Sequence, residues 1–425
     1  MKVRYGRHTQ LKPEGMIATY PNDLTAESPS VVKGKPRILV SHQGCIPIYR
    51  KSFFTRLNEN SPIDFVIAHG RALPGSDMIE ASPPFPFPNI QVENRIFKIA
   101  GRLFVLQPLI WRVLRGEFDG AVIGAEVKYL SNLVIAFLLR LRGRPVILWG
   151  FGYHQYDRPQ RSMLARVTAG AAGSLKRIVC RVSSGYLVYT KGGERALRSW
   201  RPPLKRIAVL RNTIDSEREK ELRAKVALEP VERATRELGV RSESVKLLYF
   251  GRLVPTKHVE LLLEYARRCI QTGRSADVII FGQGSEEQRL RLLAANLSNV
   301  VFHRHDDLKL ARALRISAAV VIPGYVGLAI THGFAHGVTT LTRHGQLHSP
   351  EIEYLEHGIN GLILPEHPDE FFTALDAFVD DQDLQRRLAR GAERSAQTID
   401  MGHMVDTFRN LVAECLEPKI RGPSK

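Results

Sequence analysis

Two cations follow a predicted strand at a spacing that suits a diphosphate group. The segment YFGRLVPTKHVELLLEY (249–265) contains a strand that ends at Gly251, then Arg252, and then Lys257 just before a helix. Arginine offers a planar pair of N–H donors, lysine offers a compact charge, and the helix start adds free N–H groups. The pattern predicts a diphosphate pocket, and two ordinary surface cations are the alternative.

Backbone donors are predicted in PGYVGLAITHGFAHG (323–337), which follows the apolar run AAVVI. A helix is expected to begin near Val326 and to direct its N–H groups towards a cleft. Gly324 and Gly327 carry no Cβ, so a phosphate or a sugar could approach the backbone closely at both positions.

The same segment contains two histidines. Leu328 and His332 are four residues apart and share a helix face, so His332 could reach a ribose or phosphate beside the backbone donors. Interior or surface packing is the alternative for His332, and it is the preferred interpretation for His336.

Further candidates lie in loops after other predicted strands. Gly282 belongs to a G-x-G turn in FGQG, which is more often a tight turn than a binding loop, and Gly44 lies in SHQGCIP. The loop WGFGYHQ (149–155) holds His154, which could accept a proton or bind an acceptor hydroxyl, although a packing loop is equally consistent. Residues assigned to the acceptor side are Glu126, Tyr153 and Asn212.

Neither a metal nor a cofactor is predicted. The four cysteines are far apart in the sequence and form no CxxC pair, which also favours a reducing cytoplasm. Asp306 and Asp307 begin a predicted helix, where capping is the preferred role. The cysteines are Cys45, Cys180, Cys269 and Cys415.

The elements that must position these residues repeat in two series. Short apolar strands alternate with helical patterns, which predicts parallel sheets covered on both faces. The charged stretch 215–244 separates the series. Strands are predicted at 37–42, 65–70, 120–126, 145–150, 185–190, 207–212, 245–251, 277–282, 300–303, 318–324 and 339–342.

The predicted fold class is α/β, with two doubly wound Rossmann-like domains that face a central cleft. Ligands bind at the carboxyl ends of the strands in such sheets. The expected divisions are an irregular segment 1–33, an acceptor-binding domain 34–225, a nucleotide-sugar-binding domain 226–395, and a C-terminal helix in 396–425 that can pack back on the first domain.

Charge is distributed unevenly along the chain. Residues 95–211 contain 22 Lys/Arg against 5 Asp/Glu, and the net charge of the whole chain is +18. This region suits an anionic lipid surface or a diphosphate substrate, and a solvated surface without a partner is the alternative. Nucleic acid is not expected, because no nucleic-acid-binding motif is present.

No signal peptide is recognised, and the apolar run LVIAFLL (133–139) is too short to span a bilayer.

Four of these segments occur in an order that resembles the C-terminal domain of family 4 glycosyltransferases, which have the GT-B fold. They are GRLVPTK (251–257), FGQG, PGYVGLAITHGFAHG and SPEIEYLEHGINGLIL (349–364). The resemblance covers about 245–395. It is fainter over 37–212, where WGFGYHQ, YLVYTKGGERAL and RNTID match.

The resemblance implies site residues. Arg252 and Lys257 match the pair that binds the donor diphosphate. Gly324 and His332 depart from the family, which has glutamates at both positions, and Phe151 stands where a histidine is common. The donor-binding set is Gly44, Gly251, Gly282, Gly327, Leu328, His332 and Glu351, and the catalytic set is Arg252, Lys257 and His154.

The implied reaction is retaining transfer of a sugar from a nucleotide diphosphate to an acceptor hydroxyl. Protein cations would stabilise the leaving diphosphate without a metal. A lipid-linked acceptor at the cytoplasmic membrane face, in polysaccharide or glycolipid assembly, would suit the apolar and basic stretch 95–144. A sugar-nucleotide epimerase and a non-catalytic nucleotide-sugar binding protein are the alternatives. A dehydrogenase is disfavoured because no G-x-G-x-x-G follows the first strand.

Overall fold

A computed structural model describes residues 34–73, 78–99, 102–152, 163–202, 204 and 206–417. For Ile99, Arg102 and residues 163–172 only the backbone is described. The predicted irregular segment 1–33 lies outside the described residues.

The first half of the chain forms a parallel sheet of seven strands. Its central strands are mostly apolar because helices cover both faces of the sheet. In chain order the strands of this half are β1 (Arg37–Ser41), β2 (Asp64–His69), β3 (Asn89–Gln91), β4 (Arg95–Ile99), β5 (Arg102–Leu106), β6 (Gly120–Gly124), β7 (Val146–Gly150), β8 (Gly185–Val188) and β9 (Arg206–Val209). The sheet order is β3-β2-β1-β6-β7-β8-β9, and β4 and β5 form a separate antiparallel pair.

The second half forms a parallel sheet of six strands. These strands are β10 (Val245–Phe250), β11 (Ala276–Phe281), β12 (Val300–His303), β13 (Ala319–Ile322), β14 (Thr339–Arg343) and β15 (Gly361–Leu364). Their order is β12-β11-β10-β13-β14-β15. In each sheet the order reverses beside the first strand, and the crevice at such a reversal is where doubly wound sheets bind ligands.

Helices connect the strands and cover the sheets. The α-helices are α1 (Lys51–Asn58), α2 (Ile110–Leu114), α3 (Leu130–Leu141), α4 (Met163–Val182), α5 (Lys191–Ser199), α6 (Ser216–Ala227), α7 (Val231–Leu238), α8 (Glu260–Thr272), α9 (Glu287–Leu293), α10 (Asp307–Ile316), α11 (Ala329–Ala335), α12 (Pro368–Asp380), α13 (Gln382–Ala396) and α14 (Met401–Leu416). Short 3₁₀ helices are Ile48–Arg50, Pro255–Lys257 and Pro350–Tyr354. Within the described part of the chain, no helix has the length and apolarity that crossing a bilayer requires.

The last helix, α14, packs against the first sheet although it follows the second sheet in sequence. Met401, Met404 and Phe408 are fully buried in the core of the first sheet. The ring of Phe408 lies 5.3 Å from Trp149 of β7 and 5.5 Å from Phe53 of α1. The chain therefore crosses back between the domains just before α14.

All eleven predicted strands are present, with ends that differ by at most three residues. The prediction lacked β3, β15 and the β4–β5 pair. β3 has only three residues and lies at the edge of its sheet. β4 and β5 have the sequences RIFKI and RLFVL. They were not predicted because their charged residues interrupt the apolar pattern within a basic stretch. The charged stretch 215–244 contains α6 and α7, and Ala234 and Leu238 of α7 lie in the core of the second sheet.

Candidate functional site

A cavity of about 500 Å³ lies between the two domains, and both contribute to its walls. The first domain provides residues from the loops after β1 and β2 and from the ends of β7, β8 and β9. The second provides residues from the loops after β10, β13 and β14. The lining residues are Gln43, Tyr49, Arg50, Ile79, Phe151, Tyr189, Asn212, Ile214, Phe250, Gly251, Arg252, Lys257, Tyr325, Gly327, Leu328, Ala329, His332, Ser349 and Glu351.

Arg252 and Lys257 line the same wall, as their spacing after β10 predicted. The Tyr249 hydroxyl donates to the Arg252 carbonyl oxygen (2.7 Å), which holds the turn after Gly251. Lys257 Nζ donates to the Tyr325 carbonyl oxygen and lies 5.3 Å from the Tyr325 ring centre. Burial, and then the neighbouring Arg252, lower the pKa of Lys257 to about 8. The two positive charges therefore lie close together, and a bound anion would reduce their repulsion and stabilise the protonated form of Lys257.

The start of α11 supplies backbone donors to the same wall. α11 begins at Ala329, three residues later than the helix start expected at Val326. Val326 N–H is not available, because it donates to His348 Nδ1 (3.1 Å). Among the described residues, the N–H groups of Gly327 and Leu328 have no hydrogen-bond partner, and both residues line the cavity. These two N–H groups can bind an anion.

The two glycines near this start have different roles. A Cβ added to Gly327 would meet no atom within 4 Å, so the space beside it is open to a ligand. A Cβ on Gly324 would lie 2.2 Å from the Thr256 carbonyl oxygen and 2.6 Å from the Lys257 carbonyl carbon. The expectation that a ligand approaches Gly324 is wrong. The glycine instead lets the loop that carries Lys257 pack against the backbone after β13.

His332 lies between the cavity and a buried carboxylate of α6. Its Nδ1 is 3.4 Å from Glu219 Oε1, and His336 Nε2 is 2.9 Å from Glu219 Oε2. Burial raises the pKa of Glu219, but the two imidazoles outweigh that effect and lower it to about 2. His336 is a buried interior histidine, in line with the preferred interpretation. The Nε2 edge of His332 remains on the side away from Glu219.

Glu351 and Asn212 meet across the domain boundary. The Asn212 side-chain amide donates to Glu351 Oε1, and the Tyr354 hydroxyl donates to the Asn212 carbonyl oxygen (3.1 Å). Glu351 is 4% exposed and is the only carboxylate among the described lining residues. The proposed acceptor-side residue Asn212 therefore touches the proposed donor-side residue Glu351.

Several lining residues carry buried polar atoms without a hydrogen-bond partner among the described residues. They include Gln43 Oε1, Arg50 Nε, Asn212 Oδ1 and Ser349 Oγ. Buried polar atoms are normally paired, so this concentration in one cavity indicates that a polar ligand completes their hydrogen bonds.

Three predicted site residues do not line the cavity. Gly44 packs against Asn94, whose Nδ2 donates to the Gly44 carbonyl oxygen (2.9 Å). A Cβ on Gly282 would lie 2.1 Å from the Gly251 carbonyl oxygen, so Gly282 supports the turn before Arg252. Glu126 pairs with Lys128 (2.5 Å). The predicted residues Tyr153 and His154 lie outside the described residues.

Sequence reasoning missed the aromatic and cationic part of the first-domain wall. Tyr49, Arg50 and Tyr189 line the cavity; the first two belong to the 3₁₀ helix Ile48–Arg50, and Tyr189 directly follows β8. A usable signal was the Tyr-Arg pair that follows SHQGCIPI, just before α1.

Asp306 accepts from Lys309 N–H (2.7 Å) as the cap of α10, which was the preferred role. Across the described segments, no three His, Cys, Asp or Glu side chains come together at a distance that could hold a metal.

Solved structures share the fold of this chain. HepE from Anabaena, crystallised with UDP, superimposes with a TM-score of 0.64 at 13% identity over 89% of this chain and all of that one. This chain has the GT-B fold. A glycosyltransferase from Rickettsia africae gives the same TM-score and identity over 91% of this chain and 100% of its own. WaaG, a glycosyltransferase involved in lipopolysaccharide biosynthesis, gives 0.62 at 14% identity over 88% and 99%.

The GT-B fold prediction is thus confirmed. In sequence, residues 231–395 match the family model described as glycosyl transferases group 1. No curated protein matches the chain. The matched segment holds Arg252, Lys257, the start of α11 and Glu351, and it supports assignment of the chain as a glycosyltransferase. Membership of family 4 and retention of the anomeric configuration stay predictions.

Proposed function

We propose that this protein transfers a sugar from a nucleoside diphosphate sugar to an acceptor hydroxyl, with retention. The observation that carries the proposal is the convergence of Arg252, Lys257 and the N–H groups of Gly327 and Leu328 on one interdomain cavity. Cleavage of the sugar–phosphate bond leaves negative charge on the diphosphate. Two cations and two fixed backbone donors would stabilise that charge as it develops, without a metal.

The nucleoside is proposed to lie against the second domain. Glu351 would bind beside the nucleotide, and the Nε2 edge of His332 would bind a ribose hydroxyl, where the resembling family uses a glutamate. Uridine is the first candidate, because crystal structures of HepE contain UDP and UDP-glucose. The acceptor would enter from the first-domain wall, near Tyr49 and Tyr189.

Retention follows from the family resemblance, and the shortage of carboxylates at the site bears on the course that a retaining transfer would take. Among the described lining residues, Glu351 is the only carboxylate, and its Oε1 accepts from Asn212. A double displacement needs a free carboxylate on the face opposite the leaving group. Attack by the acceptor from the same face as the departing diphosphate needs none, and it is the proposed course.

A peripheral position on the cytoplasmic face of the cell membrane is also proposed, with a lipid-linked acceptor in polysaccharide or glycolipid assembly. It is supported by the α2–α3 surface, defined as Trp111, Arg115, Phe137, Arg140 and Leu141, all exposed. Trp111 is 61% exposed and Leu141 is 83% exposed. Aromatic and aliphatic side chains among arginines suit the interface of an anionic bilayer.

A thermal-shift screen against UDP, GDP, ADP and their sugar conjugates tests the donor assignment, with Arg252→Ala beside the wild type. A ligand at 100 times its dissociation constant adds about 2.7 kcal/mol to stability. We expect one base to raise the melting temperature of the wild type and not of the variant. No shift with any nucleotide would contradict the proposal. Release of the nucleotide only when an acceptor is added would exclude both an epimerase and a non-catalytic binding protein.

A further inference from the structure

Arg50 is a buried arginine that lines the cavity from the first domain, whereas Arg252 and Lys257 line it from the second. It ends the 3₁₀ helix Ile48–Arg50 and immediately precedes α1. Only 2% of its surface is exposed. The 3₁₀ helix and α1 therefore fix the position of Arg50, and its guanidinium reaches the cavity from within the core.

The guanidinium of Arg50 lies among aromatic rings. Its central carbon is 4.9 Å from the ring centre of Trp149, 5.3 Å from that of Tyr49, 5.7 Å from that of Phe53 and 5.7 Å from that of Tyr189. Such rings hold a cation by their negative faces. They fix the orientation of the guanidinium, but they do not satisfy its N–H groups.

Within the described residues, Arg50 has no carboxylate within ion-pair distance. Its Nε has no hydrogen-bond partner, and Nη1 contacts only Met404 Sδ, at 3.8 Å. A buried charge without a counter-ion carries a large desolvation cost. Another buried arginine, Arg312, shows the usual solution: it pairs with Glu229 (2.6 Å) and Glu237 (2.8 Å).

The elements that carry Arg50 bring no negative charge to it. Neither the 3₁₀ helix Ile48–Arg50 nor the first turn of α1 contains an acidic residue. Burial and then Arg50 itself hold the pKa of His42 well below its ordinary value, so this imidazole is neutral. It donates or accepts at the Tyr189 hydroxyl (3.0 Å) and brings no negative charge.

We propose that Arg50 binds an oxyanion, a carboxylate or a phosphate, that is carried by the acceptor. The oxyanion would supply the missing counter-ion and would accept from the unpaired guanidinium donors, an interaction for which arginine is well shaped. The acceptor of this enzyme is then an acidic or phosphorylated molecule rather than a neutral sugar. This inference rests on the proposed function, because it assigns the donor diphosphate to the opposite wall.

The test uses the full-length protein saturated with UDP, so that the diphosphate pocket is filled. Inorganic phosphate, glucuronate and glucose are titrated calorimetrically into this complex. We expect phosphate or glucuronate to bind and glucose not to bind. Arg50→Met should weaken anion binding by at least about ten-fold, the size of a lost charged hydrogen bond. Lys51→Met, which removes the neighbouring cation outside the cavity, should leave anion binding unchanged.

UDP affinity separates the acceptor from the donor as the source of the oxyanion. Arg50→Met should bind UDP within about three-fold of the wild type, and wild type and variant should show the same ratio of UDP-glucuronic acid to UDP-glucose affinity. A loss of UDP affinity as large as that of Arg252→Ala would place Arg50 at the donor diphosphate and overturn the proposal. A selective loss of UDP-glucuronic acid would place the oxyanion on the donor sugar and would also overturn it.

Two further outcomes count against the proposal: no anion binding by the wild-type UDP complex, or equal anion binding by wild type and Arg50→Met. If Arg50→Met does not fold, Arg50→Lys keeps the charge but loses the planar pair of donors, and its anion affinity should fall by at least about three-fold. Failure of the wild type to bind UDP would contradict the proposed function instead. Anion titration of the nucleotide-free protein would then test Arg50 separately.

Discussion

The side-chain amide of Asn212, just after β9, donates a hydrogen bond to Oε1 of Glu351, in the 3₁₀ helix Pro350–Tyr354. The same 3₁₀ helix makes two further contacts across the domain boundary. Glu353 accepts from the Thr190 hydroxyl (2.8 Å) and from Gly192 N–H (2.7 Å). One short segment beside the cavity therefore contacts both domains. A change in the separation of the domains would move the second-domain wall of the cavity.

Asn212→Asp should weaken UDP binding by roughly ten-fold and lower the melting temperature. The new carboxylate would face Glu351 in a buried site, and two like charges there repel strongly. Glu356→Gln, which alters an exposed acid two residues beyond Tyr354, is the matched control. UDP titration and thermal unfolding measure both effects. Wild-type UDP affinity in Asn212→Asp would show that this contact does not shape the donor site.

UDP affinity should fall as the pH rises from 7 to 9.5. The unliganded Lys257 has a pKa of about 8, so it is charged below this value and loses its proton above it. The diphosphate prefers the charged amine, so binding above pH 8 must include the cost of reprotonation, up to about ten-fold in affinity over one pH unit. Calorimetry across this range measures the profile.

Lys257→Arg is the control for this pH dependence. A guanidinium stays charged throughout the range, so its profile should be flat above pH 7. A flat profile in the wild type would mean that Lys257 does not contact the diphosphate.

Gly324→Ala and Gly327→Ala should separate a packing role from a binding role. The first places a Cβ against the Thr256 backbone and should cost about 1–3 kcal/mol of stability, and it should also weaken UDP binding by displacing Lys257. The second places a Cβ in open space, so its stability should match the wild type while UDP binding falls. Urea denaturation and UDP titration distinguish the two. Equal stability of both variants would contradict the close contact at Gly324.

Binding to vesicles that contain an anionic lipid should depend on the α2–α3 surface. Trp111→Ser combined with Leu141→Ser should weaken binding by at least ten-fold at low salt, because two large apolar side chains no longer enter the interface. Leu228→Ser changes an equally exposed leucine (89%) on the second domain and is the control. Co-sedimentation measures binding, and equal binding by all proteins would contradict the membrane assignment.

The fold was largely predictable from the sequence, because parallel strands covered on both faces are continuous apolar runs. The convergence of Arg252 and Lys257 on one cavity wall was predictable for a similar reason. Arg252 and Lys257 lie close together in sequence after a strand end, and local geometry brings them to one wall.

The roles of Gly324 and Arg50 could not be predicted in this way. Glycine is required at position 324 because the backbone of Thr256, 68 residues earlier, packs against it. The sequence around Gly324 does not indicate this contact. Arg50 becomes notable only because Trp149 and Tyr189 surround it and no acid among the described residues pairs with it. Burial and partner identity are properties of the assembled core, so the Tyr-Arg pair in the sequence could mark the position but not the buried charge without a counter-ion.

The central claim is that the interdomain cavity binds a diphosphate, and the most direct test compares nucleotides that differ only in their phosphates. UDP, UMP and uridine would be titrated calorimetrically into the wild type and into Arg252→Ala. The account predicts that the wild type binds UDP at least about 100-fold more tightly than UMP, roughly the worth of two charged contacts, and that this preference collapses in the variant. Equal affinity of the wild type for UDP and UMP would contradict it.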